Sequence, residues 1–242
     1  MKQAKSLFSV AFCLLIYSGI LAKEGNIDSL NQVLVKYINE KNELRKNVST
    51  INDSTIANIL VQLSAAYCDS NFTKSNDYAN QAFNLSKKIG YIKGLTRSYI
   101  CYGDIYYQQG NFESSNKANK QALVLSIKSK DYQSTLKSYL NLGANSLDLG
   151  NYAEALKYYL LALETAEKYK FNEKIAIIYS NIGIVYYYHD KIDKALQNFQ
   201  YALKYNIENG KKSDEVSNYL GIGAMYDALK NYNEAIRYDF KA

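Results

Sequence analysis

The chain has 242 residues, 48% of them apolar, and carries 29 Lys and Arg against 23 Asp and Glu for a formal charge of +6. Its charges alternate in sign along the sequence with no basic block, which excludes a nucleic-acid surface of the phosphate-tracking kind. The single histidine, His189, has no cysteine or histidine partner at metal-ligand spacing, and no serine sits in a nucleophile turn, so neither a zinc centre nor acyl-transfer chemistry is legible.

The first segment is distinct from the rest. Lys2 and Lys5 precede an apolar run from Leu7 to Leu21, which ends on the small residue Ala22. That order of charged, apolar and small residues predicts a secretory signal peptide over residues 1–22. That run of fifteen residues, interrupted by Ser9, Ser18 and Gly19, falls short of the about 20 that span a bilayer. Removing the segment takes away Lys2 and Lys5 and lowers the charge from +6 to +4. The compact leader and the lysine- and asparagine-rich composition have a bacterial character, so the chain is expected to be exported, periplasmic or extracellular. Any membrane contact is expected only through an uncleaved leader or a region beyond the chain.

Residues 23–55 read as a capping helix and loop. Ile27, Leu30, Val33, Leu34 and Tyr37 have helical spacing, with a start at Asp28 or Ser29 and a loop from Asn47 to Ser54.

From there the chain repeats itself. Ala82, Ala122, Ala162, Ala202 and Ala242 stand 40 residues apart, and Gly103, Gly143, Gly183 and Gly223 keep the same interval. Tyr99, Tyr139, Tyr179 and Tyr219 precede the glycines by four residues; Tyr106, Tyr186 and Tyr226 follow three of them by three. These spacings put tyrosine, glycine and tyrosine on one helical face, with the glycine admitting a second helix closely. Turns are expected at Gly110-Asn111, Gly150-Asn151, Asp190-Lys191 and Lys230-Asn231. The second helix then carries Ser115, Ala155, Ala195 or Ala235, and seven residues later the alanine column. Tyr159 and Phe199 supply bulk between them, where Asn119 and Asp239 break the pattern. An earlier copy fits through Ser64, Tyr67, Ser75 and Ala82 if its turn is one residue shorter. Cys68 and Cys101 are predicted to be separate buried thiols, because they fall at different heights on neighbouring first helices.

These columns resemble the tetratricopeptide repeat, best in the copy Tyr139-Leu140-Asn141-Leu142-Gly143 through Ala155, Tyr159 and Ala162. The period of 40 exceeds the usual 34, and the closing proline is absent; longer second helices would absorb both departures. The resemblance implies an all-α, right-handed superhelical solenoid of antiparallel helix pairs over residues 56–242, about four complete units plus one incomplete unit at the C-terminus. Because Ala242 falls inside a second helix, the chain is expected to be the amino-terminal part of something longer.

No cofactor and no catalysis are expected within this segment. In tetratricopeptide arrays the first-helix stripe opposite the packed face lines a concave groove. Here that stripe contains Arg97, Cys101, Asp104 and Gln108, then Lys137 and Asn141, then Ile177, Asn181, Ile184 and Tyr188, then Gly221. Arg97 and Lys137 could meet a carboxylate, Ile177, Ile184 and Tyr188 could receive an apolar side chain, and Asn141 and Asn181 could hold a ligand's backbone amide or merely tie neighbouring helices together. The expected partner is a protein or peptide and not a nucleic acid. Similarity to exported regions of bacterial sensor kinases and regulators makes a sensory part of a larger signalling protein the leading expectation. A structural adaptor in envelope assembly or secretion, and the accessory domain of an enzyme encoded downstream, are the alternatives.

Overall fold

A computed structural model describes residues 26–36, 38 and 53–242. The expected signal peptide, Tyr37 and most of the loop after the capping helix lie outside the described residues. The described part is helical, with helix α1 over 26–36. It continues with α2 (Asp53–Tyr67), α3 (Phe72–Lys88), α4 (Ile92–Gln108), α5 (Phe112–Lys128) and α6 (Tyr132–Asp148). The later helices are α7 (Tyr152–Lys168), α8 (Asn172–Tyr188), α9 (Ile192–Glu208), α10 (Lys212–Ala228) and α11 (Tyr232–Asp239). The chain forms two compact units, one ending at Asn145 and the other running from Ser146 to Ala242.

From α3 to α10 every helix has 17 residues. The second helix of a pair is therefore no longer than the first, and the long period is not absorbed by the second helix alone. From α3 onward three-residue turns join the helices, and each holds one residue at positive φ: Gly90, Gly110, Lys130, Gly150, Lys170, Asp190, Gly210 and Lys230, with φ between 54° and 74°. The predicted turns are half of this set. At Gly110 the closure is a Schellman pair, Asn111 N donating to Tyr106 O at 2.9 Å and Gly110 N to Tyr107 O at 2.9 Å. The turns between repeats, at 90, 130, 170 and 210, use the same geometry; two of them place a lysine at the left-handed position, while Gly90 and Gly210 carry a glycine signal that the sequence reading does not use. A lysine in the left-handed region is strained, so Lys170→Gly is expected to stabilise the carboxy-terminal unit by about 1 kcal/mol in denaturant unfolding; a loss of stability would contradict the assigned backbone.

Asparagine closes several helix starts. Asn71, Asn111 and Asn231 accept from the third backbone N–H of α3, α5 and α11 at 3.0, 3.1 and 3.4 Å. Helix α2 begins at Asp53, two residues inside the expected loop, and that acid complements the positive end of the helix. Helix α1 already includes residues 26 and 27, ahead of the expected start at Asp28 or Ser29.

In the amino-terminal unit α1 shields the first pair. Leu34 joins Ile56, Ile59, Leu60, Leu63 and Ala82 in one cluster, and Tyr78 donates to Asn31 at 3.2 Å. The shortened first copy keeps the phase read from the sequence: Ser75 Oγ donates to Ser64 O at 2.8 Å, as Ser115 Oγ does to Gly103 O at 2.8 Å. Cys68 and Cys101 are both buried and no disulfide joins them, and burial pushes the Cys101 thiol up to about 12.

In the carboxy-terminal unit Phe199 of α9 lies between Gly183 of α8 and Gly221 of α10. Ala195, Leu203, Ile222 and Met225 complete that core, with Tyr186, Tyr187 and Tyr219 packed against it. The tyrosine–glycine–tyrosine face thus does what its spacing required.

Candidate partner-binding face

Successive first helices run side by side within each unit. From α4 to α2 and the turn after it, Arg97 Nη1 donates to Asn58 Oδ1 at 3.1 Å, Cys101 Sγ approaches Val61 O at 3.7 Å, and Gln108 Nε2 donates to Asp69 Oδ1 at 2.9 Å. From α10 to α8, Asn218 Nδ2 donates to Ser180 Oγ at 2.9 Å and Lys211 Nζ to Glu173 O at 3.2 Å. Each bond spans about one repeat, so the first helices present their stripes in register.

The expected stripe is not uniformly accessible. Cys101 is 4% exposed, and Gly221 is buried with its α-carbon aimed at the Phe199 ring. At these two positions the column packs on the preceding repeat instead of facing solvent. A ring at 199 leaves room only for glycine at 221.

Asn141, in the same column, is half-buried and engaged. Its Nδ2 donates to Asp104 Oδ1 at 2.7 Å and to Asn119 Oδ1 at 3.0 Å. Lys137 Nζ lies 3.5 Å from the same Asp104 oxygen and is half exposed. Burial raises the Asp104 carboxyl above the usual range, while Lys137 and the Asn141 hydrogen bond pull it back. Arg97 reaches Asp131 at 3.9 Å as well as Asn58. The three predicted residues of the amino-terminal unit are therefore engaged in two polar clusters, Arg97 with Asn58 and Asp131, and Lys137 and Asn141 with Asp104 and Asn119; the sequence reading names neither Asn58 nor Asn119 as a partner. Asn58 was findable one repeat before Arg97; Asn119 was visible only as a break in an aromatic column.

The three residues of the carboxy-terminal unit differ. Asn181, Ile184 and Tyr188 line one stripe of α8 with Ile177; Ile177 is 54% and Tyr188 43% exposed. Asn181 and Ile184 are half-buried, and no side-chain hydrogen bond engages Asn181 among the described residues. This stripe offers exposed apolar surface beside an amide that can donate and accept together. His189 stacks on Tyr152 with ring centroids 5.6 Å apart. Among the described residues no group of acids, cysteines and histidine is placed to hold a metal, and no helix is long and apolar enough to cross a membrane.

The tetratricopeptide-repeat family profile matches residues 94–168 and 134–208. No curated protein is similar in sequence. Among solved structures, BtubC from P. vanneervenii is 19% identical, with 91% of this chain and 89% of that one covered and a TM-score of 0.74. A signal-transduction ATPase with numerous domains and a tetratricopeptide repeat sensor, from Pyrococcus horikoshii, is 20% identical over 89% of this chain, at a TM-score of 0.67. A Rap protein complexed with Competence and Sporulation Factor is 19% identical over 81% of this chain, at 0.61. The chain spans 35% and 55% of the length of the latter two. At such identities the likeness concerns the fold.

Proposed function

We infer that this chain, a tetratricopeptide-repeat protein by its residues 94–208, is a scaffold that binds a protein or peptide partner and performs no chemistry itself. The α8 stripe carries the reading. Ile177 and Tyr188 give apolar surface to a ligand side chain, with the partly buried Ile184 between them backed by the α9–α10 core, and Asn181 has an uncommitted amide for a ligand backbone. The Lys137 cluster of the amino-terminal unit suits a different ligand element, since Lys137 keeps half its surface in water. Support also comes from the Rap protein solved with Competence and Sporulation Factor, a neighbour in fold. The leader over residues 1–22 favours export, and the tetratricopeptide sensor of the Pyrococcus ATPase favours a sensory role inside a larger signalling protein.

Selection of random displayed peptides on the purified chain tests the binding claim. Bound peptides are expected, and Asn181→Ala combined with Tyr188→Ala is expected to weaken them at least about tenfold; no selected peptide, or unchanged binding, would contradict it. For export, a reporter enzyme active only outside the cytosol is fused after Lys23. It should be active, and an inactive fusion overturns that part.

A further inference from the structure

Within the amino-terminal unit, α6 docks on its neighbours through polar groups along most of its length. Thr135 Oγ1 donates to Ser126 Oγ at 2.9 Å, Asn141 Nδ2 to Asn119 Oδ1 at 3.0 Å, and Asn145 Nδ2 to Ser115 Oγ and Asn116 Oδ1, both at 2.9 Å. Ser115, Asn119, Ser126, Ser138 and Asn145 have no exposed surface. Over Phe112–Asn145 the buried apolar residues are only Ala118, Ala122, Leu136 and Leu142. The contrast is the α9–α10 contact of the other unit, where Phe199, Leu203, Ile222 and Met225 meet.

The two kinds of seam respond differently to opening. Parting an apolar seam exposes surface at about 25 cal/mol per Å², whereas a parted hydrogen bond is replaced by bonds to water and forfeits only about 0.5–1.5 kcal/mol. The closed polar seam is nonetheless specific, since among the described residues the buried side-chain atoms left without a partner lie elsewhere, on Ser86 and Asn206. A fully satisfied layer that hydrates readily has one defined closed state and an accessible open one.

We propose that the α5–α6 contact is a soft joint built into the amino-terminal unit, at which α6 separates reversibly from α4 and α5 while the other helix contacts of that unit stay closed. Asn141 couples the joint to the first-helix stripe, because the same amide bonds Asn119 in the seam and Asp104 on α4.

Native-state hydrogen exchange on the full chain tests this. Amides of α6 before Ser146 should exchange at least about tenfold faster than those of α8 and α9. Asn119→Phe with Asn141→Gly rebuilds the ring-between-glycines arrangement of Gly183, Phe199 and Gly221, and should slow α6 exchange to the α8–α9 level. If that variant does not fold, Ser126→Ala with Thr135→Val removes both partners of one seam bond at nearly constant volume and should slow exchange in the same direction. Wild-type α6 amides as protected as those of α9, or a folded variant with unchanged α6 exchange, would overturn the joint.

Discussion

Phe199→Ala is expected to cost the carboxy-terminal unit about 3–5 kcal/mol, the range for emptying a buried aromatic site. The ring is 2% exposed and serves two helices at once, α8 through Gly183 and α10 through Gly221. A Cβ at Gly183 would stand 3.2 Å from the ring and one at Gly221 2.8 Å, so no existing side chain can move in to fill the space. The loss therefore includes the cavity as well as the burial. In a stacked array the damage should concentrate in α8–α10, and exchange protection there should fall while α2–α3 keep theirs. A cost below about 1 kcal/mol would mean that the ring is not the keystone of this pair.

Gly103→Ala comes second. Alanine normally gains about 0.5–1 kcal/mol over glycine inside a helix, yet here a methyl would overlap the buried Asn119 amide, its Cγ only 2.8 Å away. That amide is held on both sides by Ser115 O at 3.0 Å and Asn141 at 3.0 Å. It can yield only by breaking those bonds. The expected cost is about 2–3 kcal/mol, and Asn119→Ala in the same chain should recover most of it. Additive costs would show that glycine is needed at 103 for some reason other than room for Asn119.

How far the sequence could be read depended on whether a residue acts through its neighbours in the chain or through distant ones. The glycine and alanine columns announced the helix pairs because their spacing is local and periodic, and Ser64 and Ser75 even revealed the phase of the shortened first copy. Lys130 and Lys170 hid two turns, since their left-handed backbone is imposed by the helices on either side. The side chains of the stripe were harder still. Whether Asn141 is free or engaged is decided by Asn119, 22 residues earlier, and by Asp104, 37 residues earlier. Likewise Gly221 is explained by Phe199, a column apart. The soft seam was invisible for the same reason: Ser126, Thr135 and Asn145 look like ordinary helix-surface residues until the pairing of α5 with α6 buries them.

The claim that the first-helix stripe binds a partner is tested most directly by calorimetric titration of one selected peptide into three forms of the chain. These are the wild type, Asn181→Ala, and Ile207→Asn, the last altering an exposed apolar residue of α9 away from the stripe. Asn181→Ala should raise Kd at least about tenfold, the loss of about 1.4 kcal/mol that a paired amide can supply, with Ile207→Asn unchanged. Equal affinity in all three, or a loss confined to Ile207→Asn, would contradict it.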